Sequence, residues 1–204
     1  MDRRSVLRVL LVVVFLLNVE GASIALGGDY SCALLTDGTM KCWGSNDYGQ
    51  LGDGTTTNST IPVEVSGITT ATSIAMGRVH SCALLTDGTV KCWGRNNMGQ
   101  LGDNTTIDAS YTISEVSGIT TATSIALDGD HSCALLTDGT MKCWGLNDYG
   151  HLGDGTTTNR ATPVEVSGLY SSPPPPSPPP TSNTTNVTSP PSSNTTNVTS
   201  PPSS

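Results

Sequence analysis

Basic residues are scarce in this chain: 9 Lys and Arg stand against 17 Asp and Glu, for a formal net charge of −8. Phosphate contacts need Lys and Arg, and so few of them cannot line a basic groove, which sets nucleic acid aside as a partner. Long apolar runs are lacking too. The one uninterrupted stretch, Val9 to Leu17, follows Arg3, Arg4 and Arg8. It is too short to cross a bilayer comfortably and has the layout of a signal-peptide core. Cleavage is expected after Gly21, where Val19 and Gly21 suit the two specificity positions. Loss of residues 1–21 takes away three Arg, one Asp and one Glu, leaving 6 basic and 15 acidic residues and a net charge of about −9. The expectation is a secreted, extracellular chain with no membrane association after signal cleavage.

Constellations that carry chemistry are missing as well. No Cys or His pair falls at the short spacing of a thiolate zinc site, so no metal is expected. Asp53, Asp103 and Asp154, in LGDG and LGDN segments, lack the dense alternation of oxygen ligands in a calcium loop and read as solvated turns. Ser31, Ser81 and Ser132 sit beside cysteines with no repeated His and Asp to activate them. No glycine loop is built to cradle phosphate; the glycines recur at turns, where they supply positive φ. The expectation is therefore not an enzyme, with no catalytic residue and no cofactor.

What the chain has is repetition, nearly literal. ALGGDYSCALLTDGTMKCWGSNDYGQLGDGTTTN starts at Ala25, and close copies start at Ala75 and Ala126. The linking segments PVEVSGITTATSI from Pro62, ISEVSGITTATSI from Ile113 and PVEVSG from Pro163 also match. Self-similarity at this period indicates a propeller or solenoid array. Each unit reads as four short strands, in the second at Thr72 to Ala75, Ser81 to Leu85 and Val90 to Trp93, with a fourth matching Pro62 to Val65. Asp-Gly and Ser-Gly turns separate them. The fold class is thus all-β, with propeller-type blades at about 22–72, 73–123 and 124–170 forming a partial or oligomer-completed propeller, followed by a disordered tail.

The cysteines fix a register. Cys32 and Cys42, Cys82 and Cys92, and Cys133 and Cys143 share one spacing, which favours one disulfide per repeat. A two-residue loop would pair Thr36 with Thr39 and set Cys32 opposite Trp43, whereas a three-residue loop, Thr36-Asp37-Gly38 with Gly38 in the left-handed region, pairs Leu35 with Thr39. Counting outward sets Cys32 opposite Cys42 at a non-hydrogen-bonded pair, where side chains approach more closely. Trp43, Trp93 and Trp144 follow each second cysteine and serve either blade packing or sugar stacking. His80 and His131 occupy the place that Tyr30 fills in the first repeat, so they read as structural or rim residues. His151 replaces Gln50 and Gln100, and nothing marks it as catalytic.

From Ser171 the composition turns to Pro, Ser, Thr and Asn without charge, read as a disordered, glycosylated tail over 171–204. Sequons stand at Asn183, Asn186, Asn194 and Asn197 in the tail, and at Asn58 and Asn104 in the repeats. The tail resembles extensin-type hydroxyproline-rich glycoproteins of plant and algal walls.

HSCALLTDGTVKCWGRNNMGQLG at 80–102 resembles the repeat of the regulator of chromosome condensation family, whose pattern is His-Ser, Ala-Leu, Gly, Trp-Gly, Asn, then Gly-Gln-Leu-Gly. Tyr30 and His151 depart from it. The resemblance covers residues 24–168 and implies four-stranded propeller blades. The paired cysteines are similar to secreted branches of the family, including the ectodomains of Crinkly-type plant receptor kinases. That resemblance implies a binding or structural glycoprotein of the matrix, cell wall or cell surface, with an extracellular protein or glycan as partner. The alternative is a secreted ligand or inhibitor of an enzyme or receptor. Guanine nucleotide exchange, the family's name-giving activity, fits less well with a signal peptide and an acidic surface. Whole sets of four strands suggest a homo-oligomer that completes a ring; the alternative is a truncated array with two unpaired edges.

Overall fold

A computed structural model describes residues 22–169. The expected signal peptide, the tail and its sequons Asn183, Asn186, Asn194 and Asn197 lie outside the described residues. Twelve strands make three four-stranded antiparallel sheets, and the described residues contain no helix. The first sheet is β1 (Ser23–Leu26), β2 (Tyr30–Leu34), β3 (Met40–Gly44) and β4 (Ser59–Glu64). The second is β5 (Ala71–Met76), β6 (His80–Leu85), β7 (Val90–Gly94) and β8 (Ala109–Glu115). The third is β9 (Ala122–Asp128), β10 (His131–Leu136), β11 (Met141–Gly145) and β12 (Arg160–Glu165). Within each sheet the strands lie in chain order, so every repeat is one meander.

The central hairpin has the register that the turn chemistry dictates. Leu34 pairs with Met40 and Cys32 with Cys42, and the same holds in the other repeats. Leu35 N–H donates to Thr39 O at 2.8 Å, and Gly38 turns the chain at φ 81°. Asp37 Oδ1 accepts from both the amide and the hydroxyl of Thr39, at 2.9 and 2.6 Å. The Thr39 hydroxyl, and then its amide, hold the Asp37 carboxyl below the usual range. The three disulfides Cys32–Cys42, Cys82–Cys92 and Cys133–Cys143 close across this hairpin, with Cα atoms 4.0–4.1 Å apart. The fourth strand starts at Ser59 rather than Pro62. The pairing slips by two residues between Cys42 and Gly44, so that Gly44 meets Ser59 rather than Ile61. Val65 falls just beyond β4 but still donates to Met40 O at 2.9 Å.

The apolar core lies between the repeats. One cluster joins Leu34, Met40, Leu51, Val65 and Ile68 of the first repeat to Ala71, Met76, Ala83, Leu85 and Trp93 of the second. The other joins Leu84, Val90, Leu101, Val116 and Ile119 of the second to Ala122, Ile125, Ala134, Leu136 and Trp144 of the third. The two clusters use the same repeat positions. Each sheet offers its disulfide face to the repeat that follows and its Ala-Leu-Trp face to the repeat before. The first strands β1, β5 and β9 are neighbours across the repeats.

A bridge across a loop of this size contributes on the order of 2–3 kcal/mol, so replacing Cys82 and Cys92 by Ala together should lower unfolding stability by that amount in urea titrations.

Candidate binding face

Trp93 and Trp144 are fully buried, whereas Trp43, the same residue in the first repeat, is half-buried. The difference is a neighbour. Trp93 Nε1 donates to Gln50 O of the preceding repeat at 2.9 Å, and Trp144 Nε1 to Gln100 O at 2.9 Å. Ser81 Oγ lies 3.0 Å from that same Gln50 oxygen, and Ser132 Oγ 2.9 Å from Gln100 O. A Cβ on Gly52 would stand 2.7 Å from Trp93 Nε1, and one on Gly102 equally close to Trp144 Nε1. The Gly-Gln-Leu-Gly of one repeat is therefore a receptor for the next repeat's tryptophan. Its Gln carbonyl accepts, its Leu is buried, and its second Gly leaves room for the indole.

The Tyr30/His80 position belongs to the same latch. Tyr30 Oη donates to His80 O at 2.5 Å and lies 3.0 Å from Ser81 Oγ. His80 Nε2 is 2.9 Å from Ser132 Oγ. With the Ser132 proton given to Gln100 O, His80 donates from Nε2 and Nδ1 is left as a lone pair. Nδ1 is the one buried side-chain nitrogen or oxygen among the described residues without a partner. Desolvation, then the charge of His131, pushes the His80 pKa down to about 3.

The loops after β3, β7 and β11 hang on a buried asparagine. Asn46 Nδ2 donates to Asp53 Oδ1, Thr55 O and Thr57 O at 3.1–3.2 Å, and its Oδ1 accepts from Leu51 N at 2.9 Å. Asn96 and Asn147 repeat the pattern. Asp53, Asp103 and Asp154 are thus loop braces, each also capping the Thr two residues on. No cluster of His, Cys, Asp or Glu suited to a metal occurs among the described residues. Asn58 Oδ1 accepts from Asn46 N at 2.6 Å, while its residue is exposed. Asn104 is exposed as well, in the left-handed region at φ 68° where Asn is tolerated.

Antiparallel order places the loops at two ends. One end carries the Thr-Asp-Gly hairpins and the Ser-Gly-Ile-Thr-Thr links, tied by Ala71 N to Gly38 O and Ala122 N to Gly88 O. The turn string Leu-Leu-Thr-Asp-Gly-Thr is identical in all three copies. The other end gathers the turns at 27–29, 77–79 and 128–130 with the loops starting at 45, 95 and 146, tied by Ser45 N to Asp29 O, Arg95 N to Val79 O and Leu146 N to Asp130 O. Here the copies diverge: GGDY, GRVH and DGDH, then SNDYGQ, RNNMGQ and LNDYGH. The fold specifies Asn46, the Gln carbonyl, the glycines and the Tyr30/His80 position, and leaves Arg78, Asn97, Asp148 and Tyr149 exposed.

Those exposed side chains form a mixed-charge face. A depression between the turns is lined by Leu26, Gly28, Met76, Arg78, Asp128 and Gly129. Arg78 N donates across the repeats to Gly129 O at 2.9 Å, and Gln100 Nε2 to Asp130 Oδ1 at 3.2 Å. The Arg95 guanidinium lies over the Tyr48 ring, 5.0 Å from its centre, and Tyr149 is 93% exposed. His131 and His151 have ring centres 4.6 Å apart. Burial, then His151, lowers the His131 pKa, against Asp128 and Asp130, which raise it. Of the residues weighed from sequence, the tryptophans resolve to packing where a preceding repeat exists. Sequence reasoning passed over Tyr48, Arg78, Arg95 and Tyr149; their signal was divergence between otherwise literal copies.

Comparison with known proteins places the repeats. The family description "Regulator of chromosome condensation (RCC1) repeat" matches at residues 22–50, 71–100 and 123–150. A second model of the same description matches at 37–84 and 138–175. The secretion-regulating guanine nucleotide exchange factor of Mus musculus is 42% identical over 57 residues, 27% of this chain but 12% of the mouse protein. Among solved structures, human WBSCR16 has a TM-score of 0.62 at 25% identity, covering 70% of this chain and 37% of its own. Prp20p from Saccharomyces cerevisiae has a TM-score of 0.63 at 25% identity, covering 72% and 38%. The chain thus spans little more than a third of these solved structures.

Two outcomes follow from the latch. Ser132→Ala strips His80 Nε2 of its acceptor inside the core and should cost about 1–3 kcal/mol in urea unfolding at high dilution, whereas Ser31→Ala, half-buried, should stay within about 0.5 kcal/mol. The folded His80 pKa lies below its unfolded value of 6.5, so the unfolded chain binds the proton first. Stability is full above that value and falls as pH drops toward about 3, by on the order of 3 kcal/mol at pH 4. His80→Gln should flatten that acid limb of a thermal-melt pH series.

Proposed function

The chain belongs to the regulator of chromosome condensation repeat family, and on that footing we propose that it is a secreted, non-enzymatic recognition protein of the extracellular matrix or cell surface. Its divergent loop face takes a protein or glycan partner. One observation carries this reading. The copies differ along the fourth strands and the segments leading to them, and again in the turns and loops gathered at one end of the sheets, where Arg78 and Tyr149 are exposed and Tyr48 and Arg95 half-buried. Surfaces freed from structural duty are where binding specificity is written on a rigid scaffold.

The chemistry of the face narrows the partner. Tyr48, Tyr149 and Arg95 are the residue types enriched at binding hot spots, and Arg78 lines one depression with Asp128. A partner with both cationic and apolar groups fits such a surface better than a polyanion does. The three disulfides favour an oxidising compartment, since thiols in the cytosol and nucleus are kept reduced. Prp20p is described with binding to Gsp1p and histones, which is a precedent for protein recognition on this scaffold.

A second reading, a regulator of guanine nucleotide exchange, is favoured by the name of the mouse relative. The two separate by location and by face. A fluorescent fusion of the full chain should leave the cell, and the biotinylated secreted chain should enrich a discrete set of surface or wall components. Arg78→Glu with Arg95→Glu should reduce that capture about tenfold or more while leaving the fold intact. Nuclear accumulation with accelerated nucleotide release from a captured GTPase would establish the second reading instead.

A further inference from the structure

We infer that the chain associates head to tail with a second copy of itself, the outer face of the third repeat receiving the outer face of the first. This does not depend on which ligand the loop face takes. The two interfaces inside the chain supply the template, because both are built from the same positions. The third repeat carries the receiving half of a further one, and the first repeat carries the entering half.

Exposure marks both halves. Ile24 is 73% and Leu26 71% exposed, whereas their counterparts Ile125 and Met76 are 8% and 7% exposed against a preceding repeat. Trp43 is half-buried where Trp93 and Trp144 are fully covered. At the far end Leu169 is 50% exposed, while Ile68 and Ile119 in the same place are at 1% and 0% beneath the repeat that follows. Leu135 and Met141 are partly open where Leu84 and Val90 are closed.

The polar groups correspond in the same way. Gln50 and Gln100 carbonyls each take an indole N–H and a serine hydroxyl from the next repeat. His151 holds the third such carbonyl position, and Trp43 with Ser31 are the equivalent donors in the first repeat. His131 stands where His80 meets Ser132, facing the place that Ser31 of a second copy would fill. Another protein would have to reproduce this combination of Trp, Ser, Ala and Leu, whereas a second copy carries it already. The two faces differ from each other, so the contact is heterologous rather than two-fold.

Light scattering after gel filtration of the secreted, deglycosylated full chain tests this over a dilution series. The expected result is a multiple of the monomer mass that falls to monomer on dilution. Leu26→Asp spoils only the entering face and Leu169→Asp only the receiving face, each at an exposed side chain. Each variant alone should be monomeric with unchanged near-ultraviolet dichroism, and an equimolar mixture should regain the mass of a dimer. A monomeric parent chain at every concentration overturns the inference. So does a mixture that stays monomeric, or an assembly that survives in both variants.

Discussion

Gln50 O and Gln100 O each accept two hydrogen bonds from the following repeat, one from an indole and one from a serine. The rest of the molecule depends on this contact because a single four-stranded repeat has no interior. Its disulfide face and its Ala-Leu-Trp face both point outward, and only a neighbour can remove them from water. The buried indole brings a large apolar area to the seam, and its N–H finds the one acceptor that fixes register between sheets. Packing alone would tolerate a slide of one sheet over the next; two donors on one oxygen do not.

The central hairpin is legible in the residues themselves. A three-residue Thr-Asp-Gly loop pairs Leu35 with Thr39, and that pairing places Cys32 on Cys42. The turn alone also admits a two-residue Asp37-Gly38 loop that would set Cys32 opposite Trp43, and the repeated cysteine spacing selects between them. The latch is not legible in the same way, because it joins a backbone carbonyl to side chains some 31–44 residues away in the chain, and the residue type of Gln50 says nothing of its carbonyl. Nor can sequence separate Trp43 from Trp93, since identical local strings differ only in whether another sheet lies in front of them. The slip between Cys42 and Gly44 escapes for a related reason: it moves the fourth strand without altering any turn signal.

The same division accounts for the two ends of the sheets. Hairpins at one end are held by Asp37, Asp87 and Asp138 capping the Thr two residues on, and their Thr-Asp-Gly-Thr turns are the same in all three copies. At the other end Asn46, Asn96 and Asn147 carry the loops from within, while Arg78 and Tyr149 stay exposed. A scaffold rigid at its seams and varied at one rim can present Tyr48, Arg78, Arg95 and Tyr149 at fixed spacing with little loss of conformational freedom on binding.

Amide hydrogen exchange on the oxidised chain at high dilution tests most directly whether stability resides between the repeats. The three central hairpins have nearly the same sequence, the same register and the same disulfide. If the seams hold the fold, β6 and β7, covered on both faces, exchange more slowly than β2 and β3 or β10 and β11, each of which has one open face. Equal protection in all three hairpins would mean that each repeat stands on its own turn and disulfide, and would contradict the account.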